Sequence, residues 1–207
     1  MPRPYALGKR TEPKNETRAR IVAAAARVYR DRGAAAASNL AIAKEADVAP
    51  ATVRNHFPDL QDLADAVFDE ILAELRPPTP AIFDGVDGIR ERITRLAKEL
   101  AAFYARSATA WQLYRQEPYL VEAWSGGVDR YYRDVDVLMR SSLGPLKHDK
   151  TALALVAAVI GPPAFFALQS RGISSRMAAD LCVEVMVPWL EARAAAKKPR
   201  ARAKPGR

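Results

Sequence analysis

The first part of the chain carries three helical patterns of apolar residues. In residues 16–32 the apolar positions recur three and four apart, as on one face of an α-helix, and Gly33 supplies a stop. Residues 38–46 and 50–57 show shorter patterns, and Pro50 suits a first helical turn because its missing N–H needs no partner there. The apolar positions of the first helix are Ile21, Ala24, Ala25 and Val28.

A longer amphipathic helix is predicted over residues 59–76. Asp59 is suited to cap its N-terminus, and Asp62 occupies the position that completes a capping box. The prolines within residues 77–80 end the pattern and mark a domain boundary. The predicted inner face consists of Leu63, Val67, Ile71 and Leu75.

The rest of the chain is helical in pattern up to residue 196. Apolar periodicity covers residues 89–103, 151–169 and 174–196, and residues 119–143 form a further helical stretch that Gly126-Gly127 is expected to interrupt. No stretch alternates convincingly at period two over the length of a strand. The sequence therefore predicts an all-α protein.

One apolar stretch has the length of a membrane span. No charged residue occurs between Lys150 and Arg171, but Gly161-Pro162-Pro163 breaks the helix in the middle. The start of the chain lacks the apolar run of a secretory signal. We expect no membrane partner, a cytoplasmic location, and a helix buried on most sides at the centre of a bundle or dimer interface.

Charge is distributed unevenly along the chain, whose net charge is +8. The first 57 residues and the tail from Lys197 are basic, whereas residues 58–190 hold more acids than bases. This pattern suggests a polyanion partner at one end, although basic termini that only aid solubility would give the same counts. The arm residues Arg3, Lys9, Arg10 and Lys14 could follow a minor groove or form a solvated leader.

Catalysis and metal binding have little support in the sequence. The carboxylates Glu117, Asp134 and Asp136 lie near aromatic residues, but no nucleophile and base accompany them. A single cysteine, Cys182, gives neither a disulfide framework nor a zinc cluster. We expect no enzyme activity, no cofactor and no metal.

The two short helices at residues 38–46 and 50–57 are separated by the tight turn Asp47-Val48-Ala49, which is the arrangement of a helix-turn-helix. Val53 and Phe57 would face the head, leaving the opposite face of the second helix exposed. On that face Arg54 can bind guanine or phosphate, Asn55 can pair with adenine, and Ala51 can meet a thymine methyl. Thr52 and His56 could donate to phosphates, and His56 could equally be a structural histidine.

These residues resemble the head of the tetracycline-repressor (TetR) family over residues 17–75. Glycine, usual in the family's turn, is replaced by Asp47, and the frequent tyrosine of the reading helix by Arg54. Leu60 and Leu40 stand where relatives often have a phosphate-binding lysine and, in some members, a base-reading arginine. The matching positions are Arg32-Gly33, Ser38, Ile42-Ala43, Ala46, Val48, Thr52 and His56-Phe57-Pro58.

The resemblance implies a transcriptional regulator with a defined organisation. We expect a flexible basic arm (1–15), a helix-turn-helix head (16–58), a connecting helix (59–76), a helical effector-binding and dimerisation body (81–196) and a disordered basic tail (197–207). The expected DNA contacts are Ser38, Pro50, Ala51, Thr52, Arg54, Asn55 and His56.

The body of such a protein is expected to bind an effector and to form a homodimer through its last two long helices. A small apolar or aromatic effector would release a repressor from a pseudo-palindromic operator; a sequence-tolerant architectural DNA-binding protein is the alternative. The expected dimer seam is Met177, Leu181, Val185, Pro188 and Trp189. The expected pocket residues, for each of which plain core packing is the alternative, are Phe103, Trp111, Tyr114, Trp124, Tyr131, Phe165 and Phe166.

Overall fold

The computed structural model of the protein describes residues 8–33, 36–116 and 122–197. These residues are helical with short connections and contain no β-strand, which confirms the all-α prediction. The α-helices, in chain order, are α1 Gly8–Arg32, α2 Asn39–Ala46, α3 Pro50–His56, α4 Leu60–Leu75, α5 Ile89–Gln116, α6 Ser125–Ser142, α7 Lys150–Ile160, α8 Pro162–Gln169 and α9 Ser175–Lys197.

The chain forms two compact units. The first consists of Met1–Arg76 and Ala108–Tyr131, and the second of Pro77–Ser107 and Tyr132–Arg207. The division after Arg76 falls at the proline run. Residues 108–116 and 122–131, which the predicted division places in the body, group with the first unit.

The first unit has a core built from α1, α2, α3 and α4. Its side chains include Ile21 of α1, Ile42 of α2 and Val53 of α3, all less than 2% exposed. Trp124 and Val128 belong to the same cluster. Burial of these apolar side chains is the main stabilising contribution to the unit.

Two details of the first unit differ from the sequence prediction. Helix α1 begins at Gly8, so residues 8–15 of the predicted arm are helical, while residues 1–7 lie outside the described part of the chain. Gly126 and Gly127 lie in the first turn of α6 and do not interrupt it. Gly127 is buried against the ring of Phe68, which explains why a residue without Cβ stands there.

In the second unit the apolar stretch after Lys150 is divided by Gly161, which ends α7 and begins α8. Lys150–Gln169 is long and apolar enough to span a membrane by length and composition, which is weak evidence for one such segment. Only 28% of its 18-residue apolar window is buried in the single chain, so the helices of one protomer do not by themselves bury the segment on most sides.

A buried carboxylate ties α7 to α9. Asp149 caps α7, accepting hydrogen bonds from the N–H groups of Thr151 (3.0 Å) and Ala152 (3.2 Å). Its other partners are Arg193, 2.7 Å from Nε to Oδ2, and Lys197, 2.6 Å from Nζ to Oδ2. These two cations hold the pKa of the Asp149 carboxyl well below its usual range.

Candidate nucleic-acid interface

The turn between α2 and α3 has well-defined caps. The Ser38 hydroxyl oxygen accepts a hydrogen bond from the N–H of Ala41 at 3.2 Å and so caps α2. Asp47 ends the helix in the left-handed region at φ 52°, a conformation that aspartate tolerates better than most residues. The N–H of Val48 then donates to Ala43 O at 3.0 Å. These bonds fix the direction in which α3 leaves the turn.

Helix α3 has one buried and one exposed face. Val53 is fully buried within the helix, and Phe57, its C-terminal cap residue, is 1% exposed. Arg54 and Asn55 are exposed, and neither makes a hydrogen bond or ion pair with any residue in the described part of the chain. Ala51 is also exposed, and Pro50, Thr52 and His56 are half-buried. The structure therefore brings the α3 candidates together on one side of the head.

Ser38 lies outside α3 but is exposed at the start of α2. Its oxygen accepts the capping bond, and a hydroxyl can donate a proton while it accepts one. The O–H of Ser38 is thus able to bind a phosphate without disturbing the cap. Asn39, the first residue of α2, has a buried Oδ1 with no hydrogen-bond partner among the described residues.

Several basic side chains of the head are engaged within it. Arg27 pairs with Glu45 at 2.9 Å, and Arg30 with Glu74 at 3.2 Å. The Arg18 guanidinium lies 4.5 Å from the centre of the Phe57 ring, in a cation–π contact. These contacts link α1 to α2, to the end of α3 and to α4, and the two ion pairs offset part of the positive charge that the count of basic residues suggests.

The outer face of α2 carries two residues that were not among the predicted contacts. Leu40 is 69% exposed, and Lys44, one helical turn later, is exposed and forms no ion pair with a described residue. Leu60 at the start of α4 is 58% exposed. On α2, Leu40 and Lys44 are four residues apart and lie opposite the buried Ile42 and Ala46, so the helical period could have identified this face from the sequence.

Polar contacts connect α4 with α6 and with the residues just before it. Arg130 of α6 pairs with Asp69 at 3.0 Å and with Asp65 at 3.5 Å, both on α4. At the start of α4, the Gln61 amide Nε2 donates to Ala123 O at 2.6 Å. The sequence does not predict these contacts, because the residues that form them are about sixty positions apart and no local pattern marks them.

The predicted pocket residues form two aromatic groups, one in each unit. In the first unit Trp124 contacts Tyr29 of α1 and Phe68 of α4, with ring centres 5.9 and 5.8 Å apart. Tyr114 lies parallel to Trp124, and Trp111 meets Tyr131 edge-on at 5.9 Å. The first-unit group is thus in contact with α1 of the head and with α4, the connecting helix.

In the second unit Phe165 and Phe166 contact Tyr104, with ring centres 5.3 and 6.2 Å apart. Phe103 lies beside Tyr104 at 5.8 Å. Both Phe103 and Phe165 are buried. The structure therefore does not place all seven predicted pocket residues in one unit, and each group also serves as core packing.

No group of three or more potential metal ligands occurs among the described residues. Of the three carboxylates considered for catalysis, Asp134 is exposed and Asp136 pairs with Arg140 at 2.6 Å. Glu117 lies outside the described residues, as do Arg3 and the tail from residue 198. The side chains of Lys9 and Arg10 are likewise outside the description.

Comparison with known proteins agrees with this architecture. Residues 21–67 match the family described as bacterial regulatory proteins, tetR family. A solved structure of a multidrug binding protein, EbrR, complexed with imidazole, matches 90% of this chain and 97% of that chain, with a TM-score of 0.59 and 25% sequence identity. A comparison with curated proteins gave no match. Residues 21–67 thus match the DNA-binding head of the TetR family, and the chain, with its helical C-terminal part, is similar to DNA-binding transcriptional regulators of that family.

Proposed function

We propose that the protein is a cytoplasmic, sequence-specific repressor that binds a pseudo-palindromic operator as a homodimer and is released by a small aromatic effector. The observation that carries the DNA-binding part is the outer face of α3. Arg54 and Asn55 are exposed there without partners among the described residues, while Val53 behind them is fully buried. Unpaired donors on a rigidly packed helix are what base recognition in a major groove requires.

The contacts divide into reading and positioning groups. Arg54 provides a bidentate donor for guanine, and Asn55 offers an amide that matches adenine. Ser38, Thr52 and His56 bind phosphates and set the register, while Pro50 and Ala51 provide apolar contact at the start of the helix. Leu40 and Lys44 extend this surface along α2 with one apolar and one cationic side chain.

The homodimer is proposed to form through α7, α8 and α9. Met177, Leu181, Val185 and Trp189 follow one another at four-residue intervals on α9 and are 57%, 42%, 59% and 38% exposed. Four large apolar side chains in one exposed stripe are rare on a monomer and mark an interface. Pro188, in the predicted seam, is also exposed beside them.

A shallow apolar groove adjoins this stripe. It has a volume of about 370 Å³ and lies between α7, α8 and α9. Three of its nine lining residues are alanines, whose small side chains let a second copy approach, and Leu181 and Val185 belong to both groove and stripe. The low burial of the Lys150–Gln169 segment in the single chain has the same explanation, because a partner would cover the rest.

The effector is proposed to bind at the aromatic residues and to act through α4. In the first unit Trp124 touches α1 and α4 directly, so displacement of its ring would disturb the packing of the head. The resemblance to a multidrug binding protein solved with imidazole supports a flat, aromatic ligand. The effector must bind the form with low DNA affinity more tightly, since only differential affinity shifts a population.

Selection from random duplex DNA with the full-length protein tests this function. A single enriched, dyad-symmetric sequence with half-sites about one helical turn apart is expected of a dimeric regulator. The rival is an architectural DNA-binding protein, for which the basic head is the supporting observation. Tight, salt-sensitive binding without any enriched sequence would favour that rival.

A further inference from the structure

Trp124 has a buried indole N–H with no hydrogen-bond partner among the residues that the structure describes. The residue is 3% exposed, so bulk water does not reach the nitrogen. A buried donor without an acceptor has lost its hydrogen bond to water without replacement, and a buried tryptophan normally avoids that cost. Such a group therefore needs an explanation in terms of what it binds.

Three of the side chains around the Trp124 indole are aromatic. Tyr29, Phe68 and Tyr114 have their ring centres 5.9, 5.8 and 6.4 Å from that of Trp124. The carbonyls of Ala123 and Trp124 accept from Gln61 and from the N–H of Val128, and neither is a partner of the indole N–H. The site thus offers flat apolar surfaces and one unused donor.

We propose that the N–H of Trp124 is the hydrogen-bond anchor of the effector site, and that the effector is a flat aromatic compound with a neutral ring-nitrogen or carbonyl acceptor. This inference rests on the proposed effector response and assigns it to the first-unit group of rings. The acceptor satisfies the indole donor, and the ring of the effector takes a place beside Tyr114. Tyr114 is half-buried and parallel to Trp124, within 4°, so that side of the indole already accommodates a flat partner.

Binding at Trp124 acts on the head through direct contacts. The Trp124 ring meets Phe68 of α4 edge-on, with 65° between their planes, and it meets Tyr29 of α1 at 50°. Trp124 also belongs to the same core cluster as Val53 and Phe57, which support the reading helix. An effector that shifts the indole therefore changes the packing of α4 against α1 within a single compact unit.

The test uses two flat bicyclic probes, benzimidazole and indole, on the full-length protein labelled with ¹⁵N at its tryptophan indoles. Both probes carry a ring N–H, but only benzimidazole has a ring-nitrogen acceptor, and a mildly alkaline buffer keeps it neutral. The three indole N–H signals are assigned with Trp124→Phe, which retains an aromatic ring. If that variant does not fold, Trp111→Phe and Trp189→Phe assign the Trp124 signal by elimination.

Benzimidazole is expected to move the Trp124 N–H signal downfield and to slow its exchange with solvent, whereas indole is not. Loss of the bond in Trp124→Phe should weaken benzimidazole binding about tenfold, as expected for about 1.4 kcal/mol. Equal responses to the two probes, no response to benzimidazole, or unchanged benzimidazole affinity in a folded Trp124→Phe protein would each overturn the proposal.

Failure of this anchor is distinguishable from failure of the proposed function. DNA selection without any probe tests the regulator alone. A protein that selects an operator but shows no benzimidazole effect at Trp124 retains its proposed function and lacks this anchor. A protein that selects no sequence loses the proposed function, whatever the indole signals show.

Discussion

Gly127 packs so closely against Phe68 that a Cβ added to the glycine would lie 2.5 Å from Cδ1 of the ring. This contact joins the first turn of α6 to the middle of α4. The same ring meets Trp124 edge-on at 5.8 Å. The missing Cβ at position 127 therefore allows α6 to approach the connecting helix closely, beside a ring that Trp124 also contacts.

The adjacent glycines provide a matched pair of variants. Gly127→Ala should lower the free energy of unfolding by about 1–2 kcal/mol, because the overpacking exceeds the helix propensity gained from alanine. Gly126→Ala should be neutral or slightly stabilising, since its Cβ would lie in ordinary contact, 3.6 Å from Asp65 Oδ1. Urea denaturation at fixed protein concentration measures both. Equal midpoints for the two variants would refute the close α4–α6 contact.

The ion pairs of Asp149 with Arg193 and Lys197 predict a pH-dependent contribution to the stability of the fold. Arg193 and Lys197 lower the pKa of this carboxyl in the folded state, so its contribution is complete above the ordinary aspartate pKa near 3.9 and is lost as the pH falls toward the lowered value. Asp149→Asn should therefore unfold at lower temperature than the wild type at neutral pH. The difference should narrow progressively below about pH 4.

Asp134→Asn is the control for that experiment, because Asp134 is exposed and makes no ion pair with a described residue. Its melting temperature should follow that of the wild type at every pH. A gap between Asp149→Asn and wild type that stays constant into acid would show that the charge of Asp149 does not stabilise the fold.

The proposed dimer predicts a different effect for two kinds of exposed apolar residue. Leu181→Glu with Val185→Glu places two carboxylates in the α9 stripe, where a partner would bury them, so the protein should become monomeric. Val137→Glu alters a side chain that is 53% exposed on α6, a helix outside the proposed interface, and should leave the dimer intact. Sedimentation velocity distinguishes the species. A dimer that survives the double substitution would place the interface elsewhere.

Local features of the fold were predictable from the sequence. Asp59 caps α4 through the N–H of Gln61 at 2.8 Å, and Asp47 takes the left-handed turn conformation, because both depend only on neighbouring residues. The inward positions of α2 and α3 followed from the helical period and are buried as predicted. Which residues of α3 contact DNA stays a prediction.

Long-range features were not predictable in the same way. The Gly126-Gly127 pair predicts a helix break because glycine has low helix propensity. The contact of Gly127 with the Phe68 ring, which explains a glycine inside α6, is not visible in the sequence. The start of α1 was set too late because Pro13 and the polar residues around it carry no apolar period, yet the helix extends back to Gly8. The division of the aromatic residues between two units was not predictable, because composition marks such residues as buried without indicating which residues they contact.

The most direct test of the account is the affinity of Arg54→Ala for the operator recovered by selection. Removal of a bidentate base contact should cost about 1–3 kcal/mol, which is roughly a fivefold to 150-fold loss, and should blur the preference at one base pair of each half-site. Arg133→Ala, which removes an exposed arginine from α6, should bind as the wild type does. An Arg54→Ala protein with wild-type affinity and unchanged sequence preference would contradict the assignment of α3 as the reading helix.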